Sequence, residues 1–512
     1  MEGPGQGTDL EKNVGTGHGP DAVTRIITFP SSHDTTPSTT TTAVPRPRRS
    51  GLLSSLTVVG EIEDPRAYSG RTKSFLVFVV ACAATSGPMS CGIMFPALAG
   101  IEADLGCSAT VANLSVSVFL LGMGVSPLWL AYVSEHFGRR PVYLVTFALY
   151  VLFTVLTGFS GSVAGLLCFR ALAALSAGSA QALGAGTIAD IYVVRERGHA
   201  IGWFYLGPLV APLVAPVLGG LLTAAGSWRN TQWFLAALGA LVLVLLVFCL
   251  PETLHDLKRL EILDDGARGG RREPTGGEVL LHTLADPLRT FLFLRHPAVT
   301  CSVVFASLNF GGLYVMNISV EYAFSRAPYR FSTVVIGCLY LGNSTGYILG
   351  SIVGGRWCDA VLRRAQVESG KAESVPPERR IGVNAWTGAA LAPLGIILYG
   401  WTIDGGLFWF APLVGTFLFG LGTMFIYSAV TTYLIDVLPG RSSSAMALNN
   451  FVRNVLACAG SVLAVPAIDA LGEGVLFSII GGLFILSTLL VLAIVLKGDE
   501  WREKAQRTGV AV

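Results

Sequence analysis

From Ser74 to Lys497 the chain is a succession of apolar segments separated by short polar joints. Each is long enough to cross a bilayer, which takes about 20 apolar residues of helix. The segments lie near 74–100, 111–133, 142–162, 164–192, 200–223 and 231–251, then near 297–322, 332–356, 381–402, 407–435, 442–468 and 474–497. In lipid every backbone N–H and C=O needs a partner within the protein, which selects helices over open strands. The predicted fold class is therefore all-α integral membrane, with twelve transmembrane helices in two six-helix halves. Composition agrees: 13% of residues are charged, where a soluble chain carries roughly a quarter.

The remaining stretches set the domain boundaries. Residues 1–73 are rich in Thr, Ser, Pro and Gly, as in TTPSTTTTAVPRPRR, and read as a disordered cytoplasmic tail. They contain no apolar core of the kind a signal peptide has, so they are not read as one. Residues 74–251 form the N-terminal half, 252–296 a polar cytoplasmic central loop and flexible connector, 297–497 the C-terminal half, and 498–512 a short cytoplasmic tail. The joints after even-numbered spans carry most of the loop arginines and lysines, among them Arg139, Arg140, Arg195, Arg197, Arg356, Arg363, Arg364 and Arg441. The joints after odd spans hold only Arg229, Arg326 and Arg330. The positive-inside rule places the first set, and both termini, in the cytoplasm. Joints 132–141 (YVSEHFGRRP) and 354–364 (GGRWCDAVLRR) each carry an acid followed by paired arginines, which suggests an internal duplication.

A net charge of +2 gives no reason to expect nucleic acid. The nine cysteines lie singly without a CxxC pair, so no metal site or disulfide framework is indicated. No cofactor is expected, no residue set suggests catalysis, and no Walker A lysine points to ATP.

One stretch inside the fifth segment is unusual. Residues 207–220 read GPLVAPLVAPVLGG. Positions four apart drift by about 40° around a helix, so Pro208, Pro212 and Pro216 form one slanting stripe and Gly207, Ala211, Ala215 and Gly219 the next, with Gly220 closing the run. Small residues at this spacing let another helix approach closely. The prolines leave carbonyls near positions 204, 208 and 212 without their helical donors. That predicts a bent helix held tightly at an interface.

Charges inside spans are costly and become functional candidates. Arg170 lies in the outer part of span 4, where it could hold an acidic partner or a substrate, or snorkel to the interface. Arg453 lies near the middle of span 11 with Asn449, Asn450 and Asn454, either facing a cavity or joining helices through hydrogen bonds. A proton-coupled protein needs a titratable carboxylate, and no span carries one at its centre. Glu321, near the outer end of span 7, is the best placed. Asp190 and Asp436, at cytoplasmic span ends, read as partners for loop arginines. Phe310, Tyr314, Asn317, Tyr340, Asn343, Phe425 and Tyr427 are candidate linings of a lipophilic pocket. The Asn-x-Ser/Thr triplets at Asn113, Asn317 and Asn343 fall within spans, so glycosylation there is not expected.

Several motifs carry a family resemblance. SEHFGRRPVYL (134–144) resembles the loop 2–3 signature of the major facilitator superfamily. Gly138, Arg139 and Arg140 match; Glu135 stands where Asp is commoner, His136 where Arg is usual and Ala131 where Gly is expected. CFRALAALSAGSAQALGAGTIADI (168–191) resembles the span-4 signature with its intramembrane arginine at Arg170. GPLVAPLVAPVLGG resembles the span-5 antiporter signature, and LPETL (250–254) fits the end of span 6. Over residues 74–497 the chain is most similar to the twelve-span fungal drug:proton antiporters, in the quinidine-resistance and dityrosine-exporter branch.

The resemblance implies alternating access, with two halves rocking about a central cavity and span 5 at the seam between them, closing one end of the pathway. It implies export of a small organic molecule (drug, toxin or metabolite) driven by protons, in which protonation of a carboxylate releases an intramembrane Arg–acid contact. The expected partners are a small-molecule substrate, protons and the lipid bilayer, for a monomer in the plasma membrane, with the vacuolar membrane as alternative. Two other readings remain open: a proton symporter or facilitator that takes up a nutrient, and a non-transporting membrane receptor.

Overall fold

The computed structural model describes residues 56–62, 64–254, 286–369, 377–437 and 442–507. Among these, twelve spans are long and apolar enough to cross a membrane. Span 1 consists of helices Gly70–Gly92 and Leu98–Leu105. Spans 2 and 3 are Ala109–Phe137 and Arg139–Gly158, and span 4 is Val163–Ala177 plus Ser179–Ile191. Spans 5 and 6 are Val194–Ala224 and Arg229–Cys249. Spans 7 to 12 are Pro297–Ser325, Thr333–Ser369, Pro377–Asp404, Phe410–Val437, Ser442–Leu471 and Glu473–Arg507.

Two expected single helices are interrupted. Span 1 breaks where Pro96 falls in a 3-10 turn at Phe95–Ala97, because proline cannot donate to the preceding turn. Span 4 breaks at Gly178, where an added Cβ would lie 2.8 Å from the Met123 backbone of span 2. Two others run past their expected ends. Span 8 continues to Ser369, since residues 360–369 contain neither glycine nor proline to stop it. Span 12 continues to Arg507, into the expected tail. The central loop falls mostly outside the described residues; residues 252–254 are described, and Asp286–Arg295 form a 3-10 stretch leading into span 7. The side chains of Asp359, Arg363 and Arg364, the second acid–arginine pattern, also lie outside them.

The largest correction concerns the tail. Residues 1–55 and 63 lie outside the described residues, but Val58, Glu61 and Tyr68 are held by specific contacts. The Val58 amide donates to the Phe248 carbonyl at the end of span 6 (2.8 Å). Glu61 is buried, and Tyr68 donates back to the Gly60 carbonyl (2.8 Å). The polar composition suggested disorder, but this segment finds its partners on spans 3 and 6.

The duplication appears in the packing. Spans 1 and 5, 2 and 4, 3 and 4, and 3 and 6 pack together in the first half. Their counterparts six spans on, 7 and 11, 8 and 10, 9 and 10, and 9 and 12, pack together in the second. The halves meet mainly through span 2 on span 11 and span 5 on span 8, again a symmetric pair of contacts. Large apolar side chains cover the outside, such as Leu394, Leu486 and Leu489. Patches of that extent suit lipid rather than water.

Candidate functional site

The proline stripe and the small stripe of span 5 face different neighbours. Gly207 packs on Ala81 and Thr85 of span 1, where an added Cβ would come within 2.7 Å of the Ala81 carbonyl oxygen; Gly219 packs as closely on the Ile93 carbonyl. Ala211 and Ala215 between them are fully buried. The small stripe thus meets span 1 of its own half, and the carbonyls of Pro212 and Pro216 meet span 8 across the seam. Pro216 has no N–H for the Pro212 carbonyl. Ser344 of span 8 replaces it, its hydroxyl donating to that carbonyl at 2.8 Å. Further along the seam, an added Cβ on Gly337 would lie 2.5 Å from the Pro216 oxygen, and one on Gly220 2.5 Å from the Thr333 oxygen. No side chain larger than hydrogen fits at either place.

Pro208, Pro212 and Pro216 also line a cavity of about 650 Å³ between the halves. It reaches the end of the molecule where the even-numbered joints lie, past Ile201 of span 5, Ile352 of span 8 and Thr431 of span 10. At the opposite end Phe95 stacks on Tyr340 with centroids 5.6 Å apart. The Gly220–Thr333 contact lies at that end too, as does an ion pair between Arg326 and Glu102 of opposite halves (3.6 Å). Among the described residues the cavity is therefore open at one end and closed at the other.

Of the pocket residues expected from sequence, Phe310, Tyr314, Asn317, Tyr340, Asn343 and Tyr427 line the cavity. Phe425 does not. It is buried within the second half, against Trp357 (6.0 Å, perpendicular rings) and over Gly354. Asn317 and Asn343 are joined by a hydrogen bond of 3.1 Å, and Asn343 reaches Tyr347 at 2.7 Å. Tyr205, Gln181, Asn309 and Tyr347 line the cavity without having been anticipated. Tyr205 could have been found by continuing the proline stripe one turn back, since it lies three residues before Pro208.

The two intramembrane arginines differ. Arg170 is fully buried and outside the cavity. It donates to the Ser90 carbonyl (3.1 Å) and the Ser115 carbonyl (3.3 Å) and lies over the Phe119 ring at 4.2 Å. Ser90 is close to the break in span 1, where carbonyls lose their helical donors. Arg170 pins spans 1 and 2 to span 4, and no carboxylate pairs with it among the described residues. The expected Arg–acid contact is absent at Arg170 for this reason.

Arg453 does line the cavity. It donates to Asn450 Oδ1 (2.8 Å) and lies between Phe310 (4.2 Å to the ring centroid) and Tyr427 (4.9 Å). Asn450 also holds Asn454 (3.1 Å) and donates across the seam to the Met123 carbonyl (3.3 Å). It is a hub between span 11 and span 2. Glu321 is buried at the closed end and outside the cavity. It lies beside Ala99, in the first turn of Leu98–Leu105 in the other half, and near Arg326 and Glu102. Glu473, at the start of span 12, is a second buried carboxylate at that end. It was not expected because it falls at a predicted span boundary.

The loop 2–3 motif forms a network at the open end. Gly138 has φ +100°, and an added Cβ would meet a Glu252 carboxylate oxygen at 2.5 Å. That carboxylate accepts from the amides of Arg139 (2.9 Å), Arg140 (3.2 Å), Thr253 (3.0 Å) and Leu254 (3.0 Å). A carboxylate at a helix N-terminus is favoured by the free N–H groups there. Arg139 pairs with Asp190 (3.2 Å) and more loosely with the exposed Glu135 (3.6 Å). Its side chain passes over Gly186, where a Cβ would come within 2.7 Å. Arg140 donates to the Val247 carbonyl (2.9 Å) and has Glu61 at 3.9 Å. Glu61 and Glu252 were missed because their partners are distant in sequence.

The arrangement of two pseudo-repeated halves, a seam cavity and an arginine-rich loop is matched in sequence by the Major Facilitator Superfamily over residues 78–461. The chain belongs to this superfamily. It is 32% identical to the MFS antiporter QDR3 of Candida albicans, over 92% of this chain and 84% of that one. It is 28% identical to quinidine resistance protein 3 of Saccharomyces cerevisiae, over 90% and 87%. A POT family transporter solved with 5-aminolevulinic acid shares the fold, with TM-score 0.63 at 16% identity, covering 85% of this chain and 98% of that chain. Like the rest of its superfamily, the chain is a multi-pass membrane transporter of small molecules and not an enzyme.

Proposed function

We propose that this transporter is a proton-coupled antiporter that exports small organic molecules by alternating access, acting as a monomer in the plasma membrane with both termini cytoplasmic. One observation carries the reading: among the described residues the cavity between the halves extends to the end that carries the arginine-rich joints, while glycine–backbone contacts and the Phe95–Tyr340 stack close the other end. With those joints in the cytoplasm, this is the loading state of an exporter. The named antiporter and drug-resistance relatives support the direction.

Glu321 is the proposed proton carrier. Its carboxylate is buried at the closed end beside Ala99 of the other half. Protonation changes the charge buried beside Ala99 and Arg326, so the contact between spans 1 and 7 responds to proton binding and couples it to the alternation. Arg170, bound to backbone carbonyls, keeps spans 1, 2 and 4 together through the cycle. Asp190 with Arg139 holds the loop at the cytoplasmic end, and Asn450 ties span 11 to span 2.

The test is transport in proteoliposomes with an imposed pH gradient, using the full chain and Glu321→Gln. Gradient-driven movement of an organic substrate against the proton flow, abolished in Glu321→Gln while substrate exchange without a gradient persists, is the expected result. Movement with the protons would replace export by symport. Binding without flux would make the protein a receptor.

A further inference from the structure

We propose that the cavity selects organic anions: small molecules with one carboxylate-like group on an aromatic or apolar body. The proposal rests on the exporter reading and names its substrate class.

The charge of the cavity points this way. Among the described residues that line it, Arg453 is the one charged side chain. No Asp or Glu lies in the wall, and no carboxylate forms an ion pair with Arg453 among the described residues. Its hydrogen bond goes to a neutral amide, Asn450 Oδ1 (2.8 Å), and its Nε atom is buried without a partner. The rings of Phe310 and Tyr427 hold the guanidinium in place. They ease the cost of burying a cation without cancelling its charge. A cation in a largely apolar pocket, lacking a counter-ion, is stabilised by whichever ligand brings one. A guanidinium offers a planar fork of donors that fits a carboxylate or sulfonate.

The rest of the wall suits the body of such a ligand. Phe310 and Tyr314 meet edge to face at 5.2 Å, and Tyr314 and Phe95 lie 6.1 Å apart. Aromatic faces in this arrangement accept a further ring. Arg170 cannot duplicate the role, because its donors already go to backbone carbonyls. A cationic substrate would enter a space whose one fixed charge repels it.

Two measurements test the proposal on the full chain in nanodiscs or proteoliposomes. The first needs no knowledge of the substrate. Ser428→Cys places a thiol in the cavity wall, and its labelling is followed by mass spectrometry at that position. The reagents are an anionic and a cationic methanethiosulfonate, sulfonatoethyl and trimethylammonioethyl. The expected anionic-to-cationic rate ratio exceeds that of a free thiol by about tenfold or more, as a nearby fixed charge produces in a low-dielectric cleft. Adding Arg453→Gln removes the preference and adding Arg453→Lys keeps most of it. A ratio at or below the free-thiol value, or one unchanged by Arg453→Gln, overturns the proposal.

The second compares transport of 4-phenylbutyrate, its amide and the matching ammonium ion under a pH gradient. The carboxylate is expected to move in preference to the other two, with the preference lost in Arg453→Gln. Movement of the ammonium ion in preference to the carboxylate overturns the anion proposal and leaves the exporter standing. Movement of the carboxylate that ignores the gradient supports the anion proposal and sinks proton coupling.

Discussion

At the residue scale, Glu252 shows how one buried carboxylate can organise a motif far from it in sequence. It accepts four backbone amides, two of them at the start of span 3. These bonds favour the charged form, yet burial outweighs them and pushes the carboxyl above its usual 4.5. The folded protein therefore binds a proton at Glu252 more readily than the unfolded chain does. Its linked contribution to stability is full below about pH 4.5 and falls as the pH rises through the raised value. Glutamine keeps an acceptor but cannot titrate. The melting-temperature advantage of the native chain over Glu252→Gln is therefore expected to shrink between pH 4.5 and 7; an advantage that grows with pH would contradict this sign. The sequence shows the acid in LPETL and the arginines in GRRP but nothing of their union, which needs Gly138 at φ +100° to clear the carboxylate. Arg170 teaches the same lesson. A charge in an apolar run announces a buried arginine, but its partners are main-chain carbonyls, invisible in residue identities.

At the element scale, span 5 was the most legible part of the site. The spacing of Gly207, Ala211, Ala215 and Gly219 specified close helix packing, and the structure provides it. The neighbour, span 1, could not be read from spacing alone. The proline stripe specified carbonyls without donors, and Ser344 supplies one for Pro212. This makes a double-substitution prediction. Ser344→Ala leaves a buried carbonyl unsatisfied, at a cost of about 1–3 kcal/mol. Pro216→Ala restores an N–H one turn below the same carbonyl, so in that background Ser344→Ala is expected to cost markedly less. Equal costs in the two backgrounds, measured by denaturant unfolding in detergent, would mean that the hydroxyl's bond carries no weight. Phe425 marks the limit of reading aromatics by type: a ring in a transport helix fills a gap beside glycine as readily as it faces a cavity.

At the scale of the molecule, the count of spans was legible because lipid demands about 20 apolar residues each time, whereas the pairing of halves appears only in three dimensions. Their closed end combines a weak electrostatic contact with tight steric ones. Arg326 and Glu102 are each more than a third exposed, and such a pair is worth at most about 1 kcal/mol. Glu102→Gln is therefore expected to change the ratio of open to closed forms by no more than about fivefold, read as maleimide labelling of Val334→Cys. Gly220→Val, which drives a side chain into the Thr333 backbone, should raise labelling far more; the reverse order would mean that charge rather than fit closes this end. The docked segment before span 1 bears on how the protein is made. Val58 binds a carbonyl of residue 248 and Glu61 lies beside Arg140 and the Glu252 amide. The bonds to Phe248 and Glu252 cannot form until the ribosome has completed span 6. The N-terminal half thus completes its contacts late, and a nascent chain halted before Phe248 offers Arg140 to Glu61 but lacks the carbonyl that binds Val58.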